Sequence, residues 1–115
     1  MGMDPNVAII GAGPAGLMAA EVLLEKGIAV DIFEAKPTIG RKLLMAGKSG
    51  LNITHTENFK LFLSRFSTQF NTLENSIRGF TPTMLQQWTS NLGIETFEGS
   101  SKRVFPREMK ACLLY

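Results

Sequence analysis

Three glycines, in the run Gly11-Ala12-Gly13-Pro14-Ala15-Gly16, are the residues of this chain best placed to do chemistry. None has a reactive side chain, so their work must be done through the backbone. The spacing G-x-G-x-x-G gives each a separate task. Gly11 permits a tight turn, Gly13 lets an anion approach the main chain, and Gly16 lets a helix pack closely on a strand. Pro14 fits the first position of a helix, where its missing N–H costs nothing. An anion resting there meets free N–H groups and the positive end of the helix. Residues 11–16 therefore read as a cradle for a diphosphate.

A second chemical group completes the pattern. Glu34 lies about 20 residues past the glycines, where a carboxylate accepts hydrogen bonds from ribose hydroxyls. It would repel a 2′-phosphate, which favours FAD or NAD over NADP. Ala35 and Lys36 follow it and are included in the expected cofactor site.

Such a motif means little without the elements that position it, and these are present. Asn6-Val7-Ala8-Ile9-Ile10 is a continuous apolar run stopped by glycine, as expected of a central parallel strand. From Pro14, the residues Leu17, Ala20, Val22, Leu23 and Leu24 form a helical stripe that Gly27 ends. Residues 28–34 read as a second strand. Strand, helix and strand fit within about 30 residues, the size of one βαβ unit, and a right-handed crossover makes the strands parallel.

Residues 35–52 read as a long functional loop with a short helix near Arg41 to Ala46. Gly47 and Gly50 allow close backbone approach, and Lys42 or Lys48 can offset phosphate charge. The Asn52 amide suits either a flavin edge or a turn. Thr54 and Glu57 fit a capping box, which predicts a helix over 56–67 carrying Phe59, Phe62, Leu63 and Phe66 on its core face. His55, the sole histidine, falls just inside that helix start and reads as surface. Thr81-Pro82 opens a further helix, closed by Gly93. Ile94 to Phe97 and Arg103 to Phe105 are consistent with a hairpin about Gly99-Ser100-Ser101. Residues 107–115 could start another helix.

The run from Gly11 to Leu17 is similar to the form common in FAD-containing two-dinucleotide-domain flavoproteins. More specifically, Gly40-Arg41-Lys42-Leu43-Leu44-Met45-Ala46-Gly47-Lys48-Ser49-Gly50-Leu51-Asn52-Ile53-Thr54-His55 resembles the second signature of the YhiN/BaiN-like (aminoacetone oxidase-type) flavoproteins. Arg103-Val104-Phe105-Pro106, followed by Met109-Lys110-Ala111, resembles a third block of that family. The three blocks occur in the family's order and cover essentially the whole chain. The commoner branch carries Gly-Arg-Cys-Asn where this chain has Ser49-Gly50-Leu51-Asn52, so no role of that arginine or cysteine transfers. The resemblance implies FAD as cofactor, with NAD(P)H a candidate reductant. It also implies that the loop from Arg41 through Gly47 to Asn52 lies on the flavin side, with Lys42 near the ribose or pyrophosphate. No catalytic side chain follows from it.

The remaining features bound the answer. The chain has 115 residues, enough for one small domain, and a formal net charge of +2, too small to argue for nucleic acid or an anionic membrane. Cys112 is the only cysteine, so no internal disulfide forms, and it reads as a small buried hydrophobe. No stretch approaches the ~20 apolar residues of a membrane span, and no metal-ligand cluster is visible. The expected location is the cytoplasm.

The expected fold class is α/β: a Rossmann-like FAD/NAD(P)-binding βαβ unit with additional helices and a short hairpin. It is expected to be incomplete, residues 1–115 being the N-terminal part of the domain, because a doubly wound sheet needs more than two parallel strands. Such a unit should expose apolar surface, around Leu43, Leu44, Met45 and the Phe59 helix, and should self-associate. The leading expectation is the FAD-binding portion of a flavin-dependent oxidoreductase. Its rivals are a non-catalytic fragment acting as an interaction module and an NAD-binding dehydrogenase module.

Overall fold

The computed structural model describes residues 6–47, 50–66 and 70–108, and the chain divides into two compact units between Ala46 and Gly47. The expected contacts of Lys48 and Ser49, the character of Cys112 and the C-terminal helix from 109 onward lie outside the described residues.

In the first unit, strand β1 (Asn6–Ile10) leads through the glycine turn into helix α1 (Pro14–Glu25) and returns as strand β2 (Ala29–Phe33). The two strands pair in parallel, from Asn6 opposite Ala29 to Ile10 opposite Phe33. This is the βαβ unit that the apolar runs and the glycine spacing predict, and α1 packs on both strands.

Helix α1 ends as a Schellman motif. Gly27 takes a left-handed φ of 73°, its N–H donates to the Leu24 carbonyl at 2.9 Å, and the Ile28 N–H donates to that of Leu23 at 3.0 Å. A short helix α2 (Arg41–Ala46) follows, where the sequence places one.

The sheet of this unit has two strands among the described residues, and its apolar side chains are poorly covered. Ile10 is 83% exposed, and Ile32 and Phe33 are also open. An apolar run with β2 on one side and α1 on one face has too few neighbours to bury both of its faces. The exposed apolar surface expected around α2 is present at Leu44 and Met45, while Leu43 is half-buried.

In the second unit, strands β3 (Thr54–His55), β4 (Thr96–Glu98) and β5 (Arg103–Pro106) form an antiparallel sheet in the order β3-β5-β4. Between β3 and β4 run helices α3 (Phe59–Ser64), α4 (Phe70–Gly79) and α5 (Pro82–Asn91). Leu51, Leu63 and Val104 form its buried apolar core. Thr89 is buried with them, its hydroxyl donating to the Gln86 carbonyl at 2.8 Å. The hairpin closes as the Gly99 N–H donates to the Arg103 carbonyl at 2.8 Å, and Phe97 stacks on Phe105 across it.

The predicted start of the aromatic helix is corrected. Thr54 and His55 are strand residues, opposite Val104 and Arg103. The cap of α3 is Asn58, whose Oδ1 accepts from the Lys60 N–H at 3.0 Å and the Leu61 N–H at 3.4 Å. Glu57 is drawn away from any capping role by a bidentate pair with Arg65, at 2.6 and 2.7 Å. An asparagine is as good an N-cap as a threonine, and the sheet claimed the threonine. Helix α5 begins as expected, with Thr81 Oγ1 accepting from the Met84 N–H at 3.2 Å.

Candidate functional site

Two of the three glycines of the turn are required by its structure, and the third is not. Gly11 has a φ of 100°, in the left-handed region that other residues avoid. A Cβ on Gly16 would overlap the Gly11 carbonyl and lie 3.2 Å from Ile9 Cγ2, so α1 could not lie so close to β1. Gly13 differs from both. Its φ of −86° suits any residue, and a Cβ there would meet nothing within 4 Å. Neither the fold of the turn nor its packing requires glycine at that position.

Gly13 is also the N-cap of α1, and it offers no side-chain hydrogen bond to the helix. The first N–H groups of α1 thus open toward the same bare position, where an anion would satisfy them. Pro14 occupies the first helical turn, as the sequence predicts. Ala15 and Pro14 are exposed, and Ala12 is 1% exposed.

Glu34, immediately after β2, reaches the turn. Its Oε2 accepts from the Ala12 N–H at 2.9 Å, and its Oε1 accepts from the Lys36 N–H at 2.8 Å. The Ala12 N–H bond, then that of Lys36, holds the carboxyl below its ordinary value, so it is an anion at neutral pH. An exposed carboxylate keeps lone pairs to spare for further donors such as sugar hydroxyls. Lys36 contributes its backbone N–H, and Ala35 lies between the two in the same exposed bend.

The other wall of the turn comes from Gly40, which the glycine motif does not include. Its N–H donates to the Ala12 carbonyl at 2.8 Å, and its own carbonyl accepts from the Leu44 N–H at 3.0 Å to open α2. Gly40 is buried with a left-handed φ of 59°. The signal for it was its position, a lone glycine ahead of a short cationic helix. Arg41 and Lys42 follow directly, exposed on the first turn of α2. Gly11 to Gly16, Glu34 to Lys36 and Gly40 to Lys42 therefore all belong to the first unit.

Gly47 and Asn52 belong to the second unit. Gly47 is buried. Asn52 Nδ2 donates to the Thr54 carbonyl at 2.8 Å and to the Val104 carbonyl at 3.1 Å, so both amide hydrogens are used within the chain. His55 is half-buried on β3, and its Nδ1 accepts from the Glu57 N–H at 3.2 Å, which leaves Nε2 as the protonated nitrogen of the neutral ring. It lines a cavity of about 240 Å³ with Glu57, Phe59, Thr81 and Thr83. Glu57, its side chain 5% exposed, is held below its ordinary pKa by the Arg65 guanidinium. Among the described residues no group of three or more His, Cys, Asp or Glu side chains is arranged to hold a metal ion. None of the described helices is long and apolar enough to cross a membrane.

A family model described as the HI0933-like protein Rossmann domain matches residues 5–114. Among curated proteins, the chain is similar to the Escherichia coli K12 protein named "Putative oxidoreductase AegA", with 53% identity over 38 residues, or 33% of this chain and 6% of that one. It is 34% identical over 82 residues to the thiamine thiazole synthase of Pyrobaculum aerophilum, covering 71% of this chain and 31% of that protein. It is 47% identical over 49 residues to the ribosomal RNA dihydrouridine synthase of Haemophilus influenzae, covering 43% of this chain and 12% of that protein. The chain thus spans less than a third of the length of each of these relatives.

Proposed function

This chain belongs to the HI0933-like protein Rossmann domain family, and we propose that it is the FAD-binding portion of a flavin-dependent oxidoreductase. On this reading residues 1–115 are the N-terminal part of an FAD/NAD(P)-binding domain. The single observation that carries the proposal is the empty space at Gly13, a glycine that neither conformation nor packing within the chain requires. A bare backbone beside the open first turn of a helix suits a diphosphate.

The residues present fit the ADP half of the cofactor. Backbone N–H groups of Gly13, Ala15 and Gly16 would take the pyrophosphate, and Glu34 would take the ribose hydroxyls. Glu34 is anionic and acceptor-only, which disfavours a 2′-phosphate and hence NADP. Arg41 and Lys42 would supply positive charge from α2. Gly47 and Asn52 are proposed to serve the flavin half, on the strength of the family signature they lie in. When bound, FAD supplies the redox chemistry, and the protein's task is to hold and orient it.

The relatives support this division of labour. One carries an oxidoreductase name and two carry synthase names, yet each is similar to part of this chain. Proteins named for different reactions that each resemble part of one Rossmann-family domain are expected to have a ligand-binding unit in common rather than a substrate.

The test is Gly13→Ala, read by calorimetric titration with ADP and FAD beside thermal melting. Alanine is a poorer N-cap than glycine but meets no atoms, so the melt should shift little while ADP affinity falls at least tenfold, by about the worth of one lost charge-assisted hydrogen bond. Failure of the wild-type chain to bind either ligand would end the proposal. So would equal affinities in the two proteins.

A further inference from the structure

We infer that Gly40 is a positioning residue of the diphosphate cradle, aiming the Gly13 N–H into the open space beside it. The inference rests on the reading of the turn proposed above. It starts from the two peptide planes that meet at Ala12. A trans peptide is planar, with its C=O and N–H directed to opposite sides. Whatever holds one of these groups aims the other.

The plane joining Gly11 to Ala12 is held by Glu34, whose Oε2 accepts the Ala12 N–H at 2.9 Å. The carbonyl at its other end, that of Gly11, is the atom that a Cβ on Gly16 would strike. The plane joining Ala12 to Gly13 is held from the other side by Gly40, whose N–H donates to the Ala12 carbonyl at 2.8 Å. The Gly13 N–H therefore points away from Gly40. A Cβ built on Gly13 would meet nothing within 4 Å, so the space beside its Cα is open. One clamp shapes the packed side of the turn, and the other directs a donor toward the open side.

Gly40 is suited to this work and costly to replace. It is buried, and its φ of 59° is strained for a residue with a Cβ, except asparagine or aspartate. Because its carbonyl also opens α2, the same residue sets where Arg41 and Lys42 begin.

The experiment compares Gly40→Ala with Gly27→Ala. Both replace a left-handed glycine of the first unit, but Gly27 only caps α1. Both variants should melt at lower temperature. Gly40→Ala alone should weaken ADP binding, by about tenfold, the worth of one positioned hydrogen bond. It should also shift the Gly13 amide resonance of the ligand-free chain, which Gly27→Ala should leave in place. Equal ADP affinities for Gly40→Ala and Gly27→Ala, with wild type binding normally, would overturn the role of Gly40 and leave the proposed function standing. A wild-type chain that ignores ADP would overturn the proposed function, and the Gly13 resonance would still judge the clamp. Should Gly40→Ala not fold, amide exchange in the wild type decides. The Gly40 N–H should be protected and become more so with ADP, and an unprotected amide there would refute the clamp.

Discussion

The first unit carries the glycine turn and buries almost no large side chain, while the second carries a packed core and no such turn. Among the described residues the buried apolar side chains of the first unit are Ala12 and Ala20, whereas the second buries Leu51, Leu63 and Val104. The first is organised by backbone geometry: a parallel ladder, a Schellman cap, and the Glu34 and Gly40 clamps on Ala12. The second is organised by side chains that exclude water. A unit shaped around its backbone tolerates exposed apolar side chains but not an added Cβ at a close approach. A unit shaped around its core responds in the opposite way.

Substitutions that exploit this contrast should have the largest effects. Gly16→Ala places a Cβ against the Gly11 carbonyl, and a backbone atom cannot step aside as a flexible side chain can. A loss of about 3 kcal/mol is expected, with α1 and β1 amide signals broadened or displaced in NMR spectra. A melt like that of wild type would show that the turn is not packed as described. In the second unit, Leu63 is 3% exposed, and Leu63→Ala should cost about 3 kcal/mol through the cavity left behind, measured by urea unfolding. If Leu63→Ala proved harmless while alanine at exposed Ile10 proved costly, the contrast between the units would be reversed.

Acid should separate the units by mechanism. Glu34 and Glu57 both have pKa values lowered from 4.5 in the folded chain. The folded state then binds fewer protons than the unfolded one. Their stabilising contributions are complete above the ordinary glutamate value and disappear as pH falls below 4.5 through the lowered folded values. The causes differ, however. Glu34 is held first by the backbone N–H groups of Ala12 and Lys36, whereas Glu57 is held first by the Arg65 side chain. Added salt weakens attraction to a guanidinium on a side chain 61% exposed more than it weakens a backbone hydrogen bond. Below pH 4.5, salt should therefore blunt the acid sensitivity that Glu57→Gln removes and spare most of what Glu34→Gln removes. Identical salt responses in the two variants would argue against this assignment of causes.

How much of this was legible in the sequence follows from the same contrast. The first unit was readable almost residue by residue, because a glycine spacing, a proline and an acid each impose a local geometry that needs no distant partner. The strand Asn6–Ile10, the helix from Pro14 and the turn at Gly27 all stand where the pattern puts them. Gly40 was less visible, since its function is a hydrogen bond to a residue 28 positions earlier, from Gly40 to Ala12. In the second unit, α4 went unread. Its signals are Leu73 and Ile77 one turn apart and a Glu74–Arg78 ion pair at 2.7 Å, a thin stripe on a polar segment. Strand β3 was misread as a helix start because its two residues owe their conformation to β5, far along the chain. Local capping chemistry competed with long-range pairing there, and pairing won.

The smallest expected effect bears on that competition. Asn58→Ala removes the side chain that accepts from the Lys60 and Leu61 N–H groups, and should cost about 1 kcal/mol. The loss should appear as faster exchange of those two amides, since a helix of six residues has little propensity to hold its first turn without a cap. Thr54→Ala makes the discriminating partner. Thr54 contributes strand pairing with Val104 and no cap, so its replacement should leave the Lys60 and Leu61 amides as protected as before. The reverse pattern, with exchange rising on loss of Thr54 and not of Asn58, would restore the capping box and remove β3 from the sheet. Because both residues precede the same helix within one short segment, general destabilisation acts on both variants alike, and the difference between them reports which residue the helix start relies on.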